Sequence, residues 1–339
     1  MSNWKNELLI QKEEILKILG PSAGIPEFLQ EFTDENGIIH QPVFRRKSYI
    51  MEHWSNINMA RSKRPMHIKE PKMENPGKCF FCKGFEDQTP RDYRTGKDFI
   101  RIGNDNSWQL RIFPNLFPWL GDHSNIVETP EHKISIAELD LKEEINVFFS
   151  ARDFIKKIEE QGLFPLFFRN QGYGASISHY HWQIGGVPYV SALVQEEINK
   201  VNAFFEKHNY SLFDAIIDTE EDENKRIIFS NEKYVVIIPF APRTRFELLI
   251  IPKFHINSLS QANDEQVEIL ATALFDSMKL LYNKMNIDTM NIIIHQNKNA
   301  QNYRFHIEIM PHKFYAGAEL GFREYAVETT PEKMVKLLQ

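Results

Sequence analysis

Residues 170–183 read Asn170-Gln171-Gly172-Tyr173-Gly174-Ala175-Ser176-Ile177-Ser178-His179-Tyr180-His181-Trp182-Gln183. An apolar run, Leu163–Phe168, precedes them and has the length and composition of a buried strand. The two glycines and two serines that follow suit a loop. His179, His181 and Gln183 then alternate with Tyr180, Trp182 and Ile184. Successive side chains of a strand point to opposite faces, so this spacing predicts both histidines and the glutamine on one face. Neighbours on that face lie roughly 6.5–7 Å apart, at a rise of about 3.3 Å per residue. Three polar side chains in a row, backed by aromatics, are unusual for a core strand. The alternative is a solvated face that happens to carry two histidines.

Upstream, Trp108–Phe113 and Ser124–Glu128 read as strands on either side of a loop, Asn115–His123. Thr129–His132 reads as a turn. Ser135–Glu160 reads as a helix whose Ser135 and Glu138 have capping-box spacing. From Val187 the pattern starts again. Glu196–His208 is helical, Tyr234–Pro239 and Phe246–Ile251 are strands around the loop Ala241–Arg245, and Ser258–Met285 is a long amphipathic helix. Asn291–His295 and Tyr303–Met310 are the last strands. Trp108–Glu160 parallels Tyr234–Met285, and Phe167–Ile184 parallels Ile292–Ile309, so that His179–Gln183 lies over Arg304–Glu308.

That order predicts an internal duplication of an α+β unit, each copy an antiparallel sheet with its long helix packed on one face. The halves fall at 42–195 and 196–339, after an N-terminal helical extension over 1–41. Within the extension Trp4–Leu19 has helical spacing, Ile25–Phe32 reads as a second short helix and Asp34–Gly37 as a turn. Two histidines occur in the last strand of the first half alone, which assigns the catalytic work to that half.

Composition narrows the function. With 339 residues, 42% hydrophobic and 25% charged, the chain has the make-up of a soluble globular protein of about two domains. A net charge of −6 gives no bulk attraction to nucleic acid or an anionic membrane, so any phosphate binding must be local. No apolar run reaches the length of a membrane span. Met1–Glu7 is too polar and acidic for a signal peptide, so a cytoplasmic location is expected. Two cysteines, in Cys79-Phe80-Phe81-Cys82, exclude a disulfide framework and leave a redox pair or half of a metal site. The basic runs Phe44–Lys47 and Ala60–Pro65 are of a kind usually solvated; Arg61 and Arg64 beside Pro65 could instead clamp an anion.

Together these elements resemble the galactose-1-phosphate uridylyltransferase branch of the histidine triad superfamily. The family signature, Asn-x-Gly followed by Gly-x-Ser-x-x-His-Pro-His-x-Gln, corresponds to Asn170, Gly172, Gly174, Ser176, His179, His181 and Gln183. Arg61-Ser62-Lys63-Arg64-Pro65, the Cys79/Cys82 pair, Phe113-Pro114-Asn115 and His132 match further elements. So do His295, Phe305–Ile309 and the tail Ala316–Gly321. The matches run from about Arg61 to the C-terminus. Tyr180 stands where the uridylyltransferases have proline, and Leu116 where many have an acidic residue. The tail lacks the glutamine associated with the hexose.

The resemblance implies a two-fold repeat of the histidine triad unit. It implies transfer of a nucleoside monophosphate between a nucleotide sugar and a sugar 1-phosphate through a covalent nucleotidyl-histidine, as in galactose metabolism. His181 would be the nucleophile, since a neutral imidazole attacks phosphorus near pH 7 and leaves it readily. Gln183 would donate to a phosphoryl oxygen, and Ser176, Asn170 and the loop backbone around Gly174 would bind the others. Arg61 and Arg64 would hold the diphosphate; Phe81 and Asn115, with Phe80 and Phe113, the nucleoside; Lys313, Phe314 and Glu319 the second substrate. Cys79, Cys82, His132 and His179 would hold a closed, tetrahedral structural zinc. Glu197, His295, His306 and Glu308 would hold a second zinc or iron. A homodimer with no nucleic-acid or membrane partner is expected. Two other readings stay open. One is a phosphorylase that moves an adenylyl group onto inorganic phosphate from an ADP-sugar or a dinucleoside polyphosphate, which fits Tyr180 and the altered tail. The other is a non-catalytic, zinc-stabilised nucleotide-binding protein, which would need neither His181 nor Gln183.

Overall fold

A computed structural model describes residues 28–34, 37–59, 61, 78–104, 107–172, 175–311 and 317–339. The chain is α+β and divides into two compact units that interleave along the sequence. The first is Met1–Lys69, Gln195–Lys253 and Lys313–Gln339; the second is Glu70–Val194 and Phe254–His312. This division by contact differs from 42–195 and 196–339, which follow the repeated order of elements.

The second unit carries the histidine stretch. Its strands are β1 (Ile100–Ile102), β2 (Leu110–Pro114), β3 (Gly121–Val127), β4 (Phe164–Gln171), β5 (His181–Val187), β6 (Met290–His295) and β7 (His306–Pro311). They neighbour one another in the order β1-β2-β3-β5-β4-β6-β7, and every pair is antiparallel. Helix α1 (Leu141–Glu160) covers one face, burying Val147, Phe148, Ala151, Phe154, Ile155 and Ile158 at helical spacing. Phe148 meets Phe167 at 5.9 Å and Trp182 at 6.0 Å, both edge-on. Helix α2 (Asp264–Met285) is tied to α1: Arg152 donates to the Ala262 carbonyl (3.2 Å) and pairs with Asp264 (2.7 Å). Because Trp182 faces this helical layer, the strand's alternation turns His181 and Gln183 to the opposite face.

Both of these helices begin later than their sequence suggests. Ser135 and Glu138 do form a capping box, but it closes a single 3-10 turn, Ile136–Glu138. Leu139 is extended, and α1 starts afresh from Asp140 with a second box to Glu143. The same double start precedes α2, with Ser258 and Gln261 and then Asn263 and Gln266. Each box satisfies donors that a helix start leaves without a partner. The order strand, strand, turn, helix, strand, strand therefore occurs twice: from β2 to β5, and from Tyr234–Ile237 and Leu248–Pro252 to β7. The last strand of each series opens on a histidine whose Nδ1 donates to the carbonyl two residues back, His181 to His179 (2.8 Å) and His306 to Arg304 (3.0 Å).

The N-terminal expectation is corrected where it can be seen. Trp4–Leu19 lies outside the described residues. From Phe28 the chain is strand, not helix: Phe28–Asp34 pairs antiparallel with Gly37–Lys47, with Asp34 opposite Gly37. Asp34 and Gly37, the ends of the expected turn, lie opposite each other, and this strand pairing overrides a weak helical spacing. Gly37–Lys47 then pairs with Trp54–Ile57, which pairs in parallel with Glu324–Val327. A helix not singled out in the sequence, Leu212–Glu223, starts at a Ser211 cap and buries Leu212, Phe213, Ile216 and Ile217.

The first unit is pinned by a buried charge cluster. Glu332 accepts two bonds from Arg46 (2.9 and 3.1 Å) and one from Arg226 (3.1 Å), and Arg226 also binds Glu220 (3.0 Å) and Glu223 (2.9 Å). Both guanidinium groups lie over the Phe240 ring. Burial alone would raise the Glu332 carboxyl; Arg46 and Arg226 outweigh it and hold it at about 2. A depressed carboxylate contributes stability above its unfolded value and loses it as pH falls through the folded one. Glu332→Gln should therefore lower stability at pH 7 by about 2–3 kcal/mol, allowing for partial exposure. It should also flatten the loss of stability between about pH 4.5 and 2. Urea unfolding at a series of pH values checks both; an unchanged acid limb would show that the cluster does not hold this carboxylate ionised.

Candidate functional site

Cys79 and Cys82 sit on one turn, closed by a bond from the Cys82 N–H to the Cys79 carbonyl (3.2 Å). His179 Nδ1 lies 3.6 Å from each sulfur, and His132 Nδ1 lies 3.4 Å from the Cys82 sulfur. All four ligand atoms are within 4.8 Å of one another. Bonds of about 2.3 Å to sulfur and about 2.0–2.1 Å to nitrogen, at tetrahedral angles, set a sulfur-to-nitrogen edge of roughly 3.5 Å. The observed separations match that edge. His179 Nε2 donates to the Thr129 carbonyl (3.0 Å), which leaves the Nδ1 lone pair facing the sulfurs. The Phe81 N–H points at the Cys79 sulfur (3.4 Å). Burial and the neighbouring Cys79 push the Cys82 thiol up to about 12, and a cation among the four ligand atoms would favour the thiolate. The residues thus fit a closed metal site, and two imidazoles facing the sulfurs favour it over a redox pair.

His179 differs from its expected place. β5 begins at His181, and His179 stands ahead of it, where the Tyr180 N–H is bonded to the Lys133 carbonyl (3.0 Å). The strand alternation therefore does not govern its ring, which the sulfur cluster orients.

His181 and Gln183 are on the strand. His181 is 5% exposed, with the edge of Phe81 against its ring at 5.1 Å. Its Nδ1 donates to the His179 carbonyl, so in the neutral ring Nε2 holds the lone pair. Burial drives the imidazole down to about 4, against the bond to His179, which keeps the ring neutral at pH 7. Gln183 lies opposite Asn125 of β3 and Phe168 of β4. That register, carried two residues along, sets Asn170 level with His181. Asn170 in turn faces Asn291 of β6. Directly paired residues share a face, so Asn125, Gln183, His181, Asn170 and Asn291 lie on one face, together with Phe168 and Val127. At its edge the Asn115 Nδ2 donates to Asn125 Oδ1 (3.2 Å), while its Oδ1 accepts from the Phe117 N–H (2.9 Å). His123 Nε2 lies 3.0 Å from Gln183 Oε1.

The glycine loop returns on itself at Gly172, whose φ is +92° and where a Cβ would come within 2.8 Å of Thr289. Ser176 is exposed just beyond. Gly174, Arg64 and Lys313 lie outside the described residues. Arg61 is exposed in the first unit. Glu319, also there, is buried and accepts a bond from the Ala326 N–H (2.9 Å). Phe81 is buried between His181, His179 and Phe113, so it supports the imidazoles. In the later group, His295 Nε2 is 2.9 Å from Glu308 Oε2, and the His295 and His306 rings stack at 4.5 Å. Glu197 is buried in the first unit.

Three residues escaped sequence reasoning: His123, Asn125 and Arg169. Arg169 offered a signal, since a lone arginine in an apolar strand must find partners if buried. It is fully buried, paired with Glu128 and, at 3.5 Å, with Glu144. Its guanidinium covers the Tyr180 ring at 5.1 Å and the Trp182 ring at 4.6 Å, the residues on either side of His181.

Comparison with known proteins gives a consistent set. A family profile described as scavenger mRNA decapping enzyme C-term binding matches residues 211–320. The ADP-glucose phosphorylase of Arabidopsis thaliana is 24% identical over 344 aligned residues, which cover 90% of this chain and 95% of that protein. A crystal structure of an Arabidopsis ADP-glucose phosphorylase with bound ADP-glucose superposes with a TM-score of 0.73 at 24% identity, covering 87% of this chain and 97% of the other. The galactose-1-phosphate uridylyltransferase of Saccharomyces cerevisiae is 24% identical over 262 residues, 68% of this chain and 72% of that protein. A solved structure of a uridylyltransferase mutant matches with a TM-score of 0.67 at 27% identity, over 77% of this chain and 92% of the other.

Arg169→Met should strip the cation from two buried carboxylates and lower stability by about 3–5 kcal/mol. Converting Glu128 and Glu144 to Gln in the same chain should recover part of that loss. Denaturant melts of the single and triple variants test this, and an Arg169→Met protein as stable as wild type would contradict it.

Proposed function

We propose that the chain is a member of the galactose-1-phosphate uridylyltransferase-like branch of the histidine triad superfamily, as its similarity to named uridylyltransferases and an ADP-glucose phosphorylase supports, and that it moves a nucleoside monophosphate by double displacement on His181. The observation that carries this is the His181 Nδ1–His179 carbonyl bond, which presents a neutral, buried Nε2 on the same face as Gln183. In the first step the Nε2 lone pair forms a bond to the α-phosphorus of a nucleotide sugar. The bond from that phosphorus to the bridging oxygen breaks, and sugar 1-phosphate leaves with the electron pair. The ring is then an N-nucleotidyl imidazolium, whose Nδ1–H is held by the His179 carbonyl. In the second step a phosphate oxygen of the acceptor attacks phosphorus, and the imidazole leaves neutral. The Gln183 amide donates to a non-bridging oxygen as charge builds there. Asn170, Ser176 and the Gly174 backbone take the remaining oxygens, and Asn115 and Phe81 border the nucleoside. Arg61, Arg64, Lys313 and Glu319 keep the roles the resemblance gives them.

The acceptor in this reading is a sugar 1-phosphate, as in galactose metabolism. A second reading, with an ADP-sugar as donor and inorganic phosphate as acceptor, is favoured by one observation: the match to the phosphorylase spans 90% of this chain, against 68% for the yeast uridylyltransferase. Zinc at Cys79, Cys82, His132 and His179 would be structural, pinning His179 and so the start of β5. A second zinc or iron on Glu197, His295, His306 and Glu308, a cytoplasmic location and a homodimer complete the proposal.

Freshly purified protein should contain zinc. Cys79→Ser and His179→Gly should lose it together with stability, whereas His181→Gly should keep both. Zinc-free wild type with freely titratable thiols would remove the metal assignment.

Wild type incubated with labelled UDP-glucose or ADP-glucose should acquire an acid-labile nucleotidyl label, and His181→Gly should not. Gln183→Ala should form it about 10²–10³-fold more slowly, the usual worth of one oxyanion donor. The acceptor that discharges the label, sugar 1-phosphate or phosphate, separates the two readings. Exchange at near wild-type rate in His181→Gly would mean that transfer does not pass through this residue.

A further inference from the structure

A glutamine amide has two chemically opposite ends. Only its NH₂ end can stabilise a phosphoryl oxygen; the carbonyl end would repel it. The geometry points to His123 as the positioning residue that decides which end of Gln183 faces the reacting phosphorus, an inference that rests on the nucleotidyl-transfer reading above.

The argument starts from a group that cannot reverse its role. The backbone N–H of Trp119 lies 3.4 Å from His123 Nδ1, and a backbone N–H only donates. Nδ1 therefore accepts. In a neutral imidazole Nε2 then carries the proton, and it lies 3.0 Å from Gln183 Oε1. The amide oxygen is thus taken by His123, and the NH₂ end is left for the substrate side. Burial lowers the His123 imidazole, which keeps it in the neutral form this chain of bonds requires.

The fold spends an irregularity on this residue. In the pairing of β3 with β5, Gly121 is opposite Gly186 and Ser124 opposite Ile184, so Asp122 and His123 together face Gly185 alone. That is a bulge, a device that re-aims a side chain. Asp122 takes the left-handed conformation, φ +48°, to make it. The His123 carbonyl is fixed by the Asn115 N–H (2.7 Å), and the edge of the Trp119 indole meets the imidazole at 5.7 Å. His123 is 3% exposed and so is shielded from competing water.

The test is a double-mutant cycle on label formation with wild type, His123→Phe, Gln183→Ala and the pair. His123→Phe keeps a ring and removes both nitrogens. It should slow labelling by up to about 10²–10³-fold, the worth of the donor it misdirects, with nucleotide-sugar affinity changed only a few-fold. In the Gln183→Ala background it should have no further effect, because a residue that acts through another is silent once that other is gone. His123→Gln, which can accept and donate, should restore part of the rate. Equal slowing in both backgrounds, or no slowing in wild type, would overturn the proposal. If wild type forms no label with any nucleotide sugar, the transfer reading fails instead. A measurement independent of turnover then decides the positioning: with ¹⁵N-histidine in the full chain, His123 should be the Nε2–H tautomer. An Nδ1–H tautomer would refute the proposal whether or not the protein turns over.

Discussion

One residue, His179, is used twice, and the site depends on that double use. Its ring faces two sulfurs and is braced by the Thr129 carbonyl. Its own carbonyl receives the Nδ1–H of His181. The position of the cluster and the tautomer of the neighbouring imidazole are therefore set by one stretch of backbone. A shift that loosens the first alters the second, although the two rings do different work.

The sheet separates the demands of chemistry from those of cohesion. On one face the register lines up Asn125, Gln183 and Asn170 beside His181. On the other, Tyr180 and Trp182 lie beneath the Arg169 guanidinium, and Trp182 meets α1 through Phe148. Arg169 is desolvated, and so are Glu128 and Glu144, which compensate it. Such a triad adds little net stability over an apolar core, but it has few alternative arrangements. It holds the residues before and after His181 without occupying the face where a substrate would lie.

What the sequence made legible was local. Period-two spacing put His181 and Gln183 on one face, and the ladder agrees. It misplaced His179, because a strand's start depends on partners such as Lys133 that no local pattern reveals. The capping residue Ser135 was recognisable, and Ser258 was read only as the start of a helix. That each opens a separate turn before a second cap became visible only in the backbone. Residues 28–32 were read as helix because short apolar spacing is ambiguous, and the hairpin partner decided the outcome. Cys79, Cys82, His132 and His179 have no shared period, so only resemblance could group them before the fold did. His123 was out of reach for a different reason: its direction comes from a bulge, where alternation fails.

The repeated order of elements differs at one chemically decisive position. In both series the closing strand opens on a histidine anchored to the carbonyl two residues behind it. Two positions further on, the first series has Gln183 and the second has Glu308, which is bonded to His295. An amide offers a hydrogen and welcomes negative charge; a carboxylate refuses it and attracts positive charge. At that position an amide nitrogen exchanged for oxygen reverses the electrical polarity, while the histidine two residues before it is shared. The two closing strands thus favour opposite charges at equivalent positions rather than repeating one another.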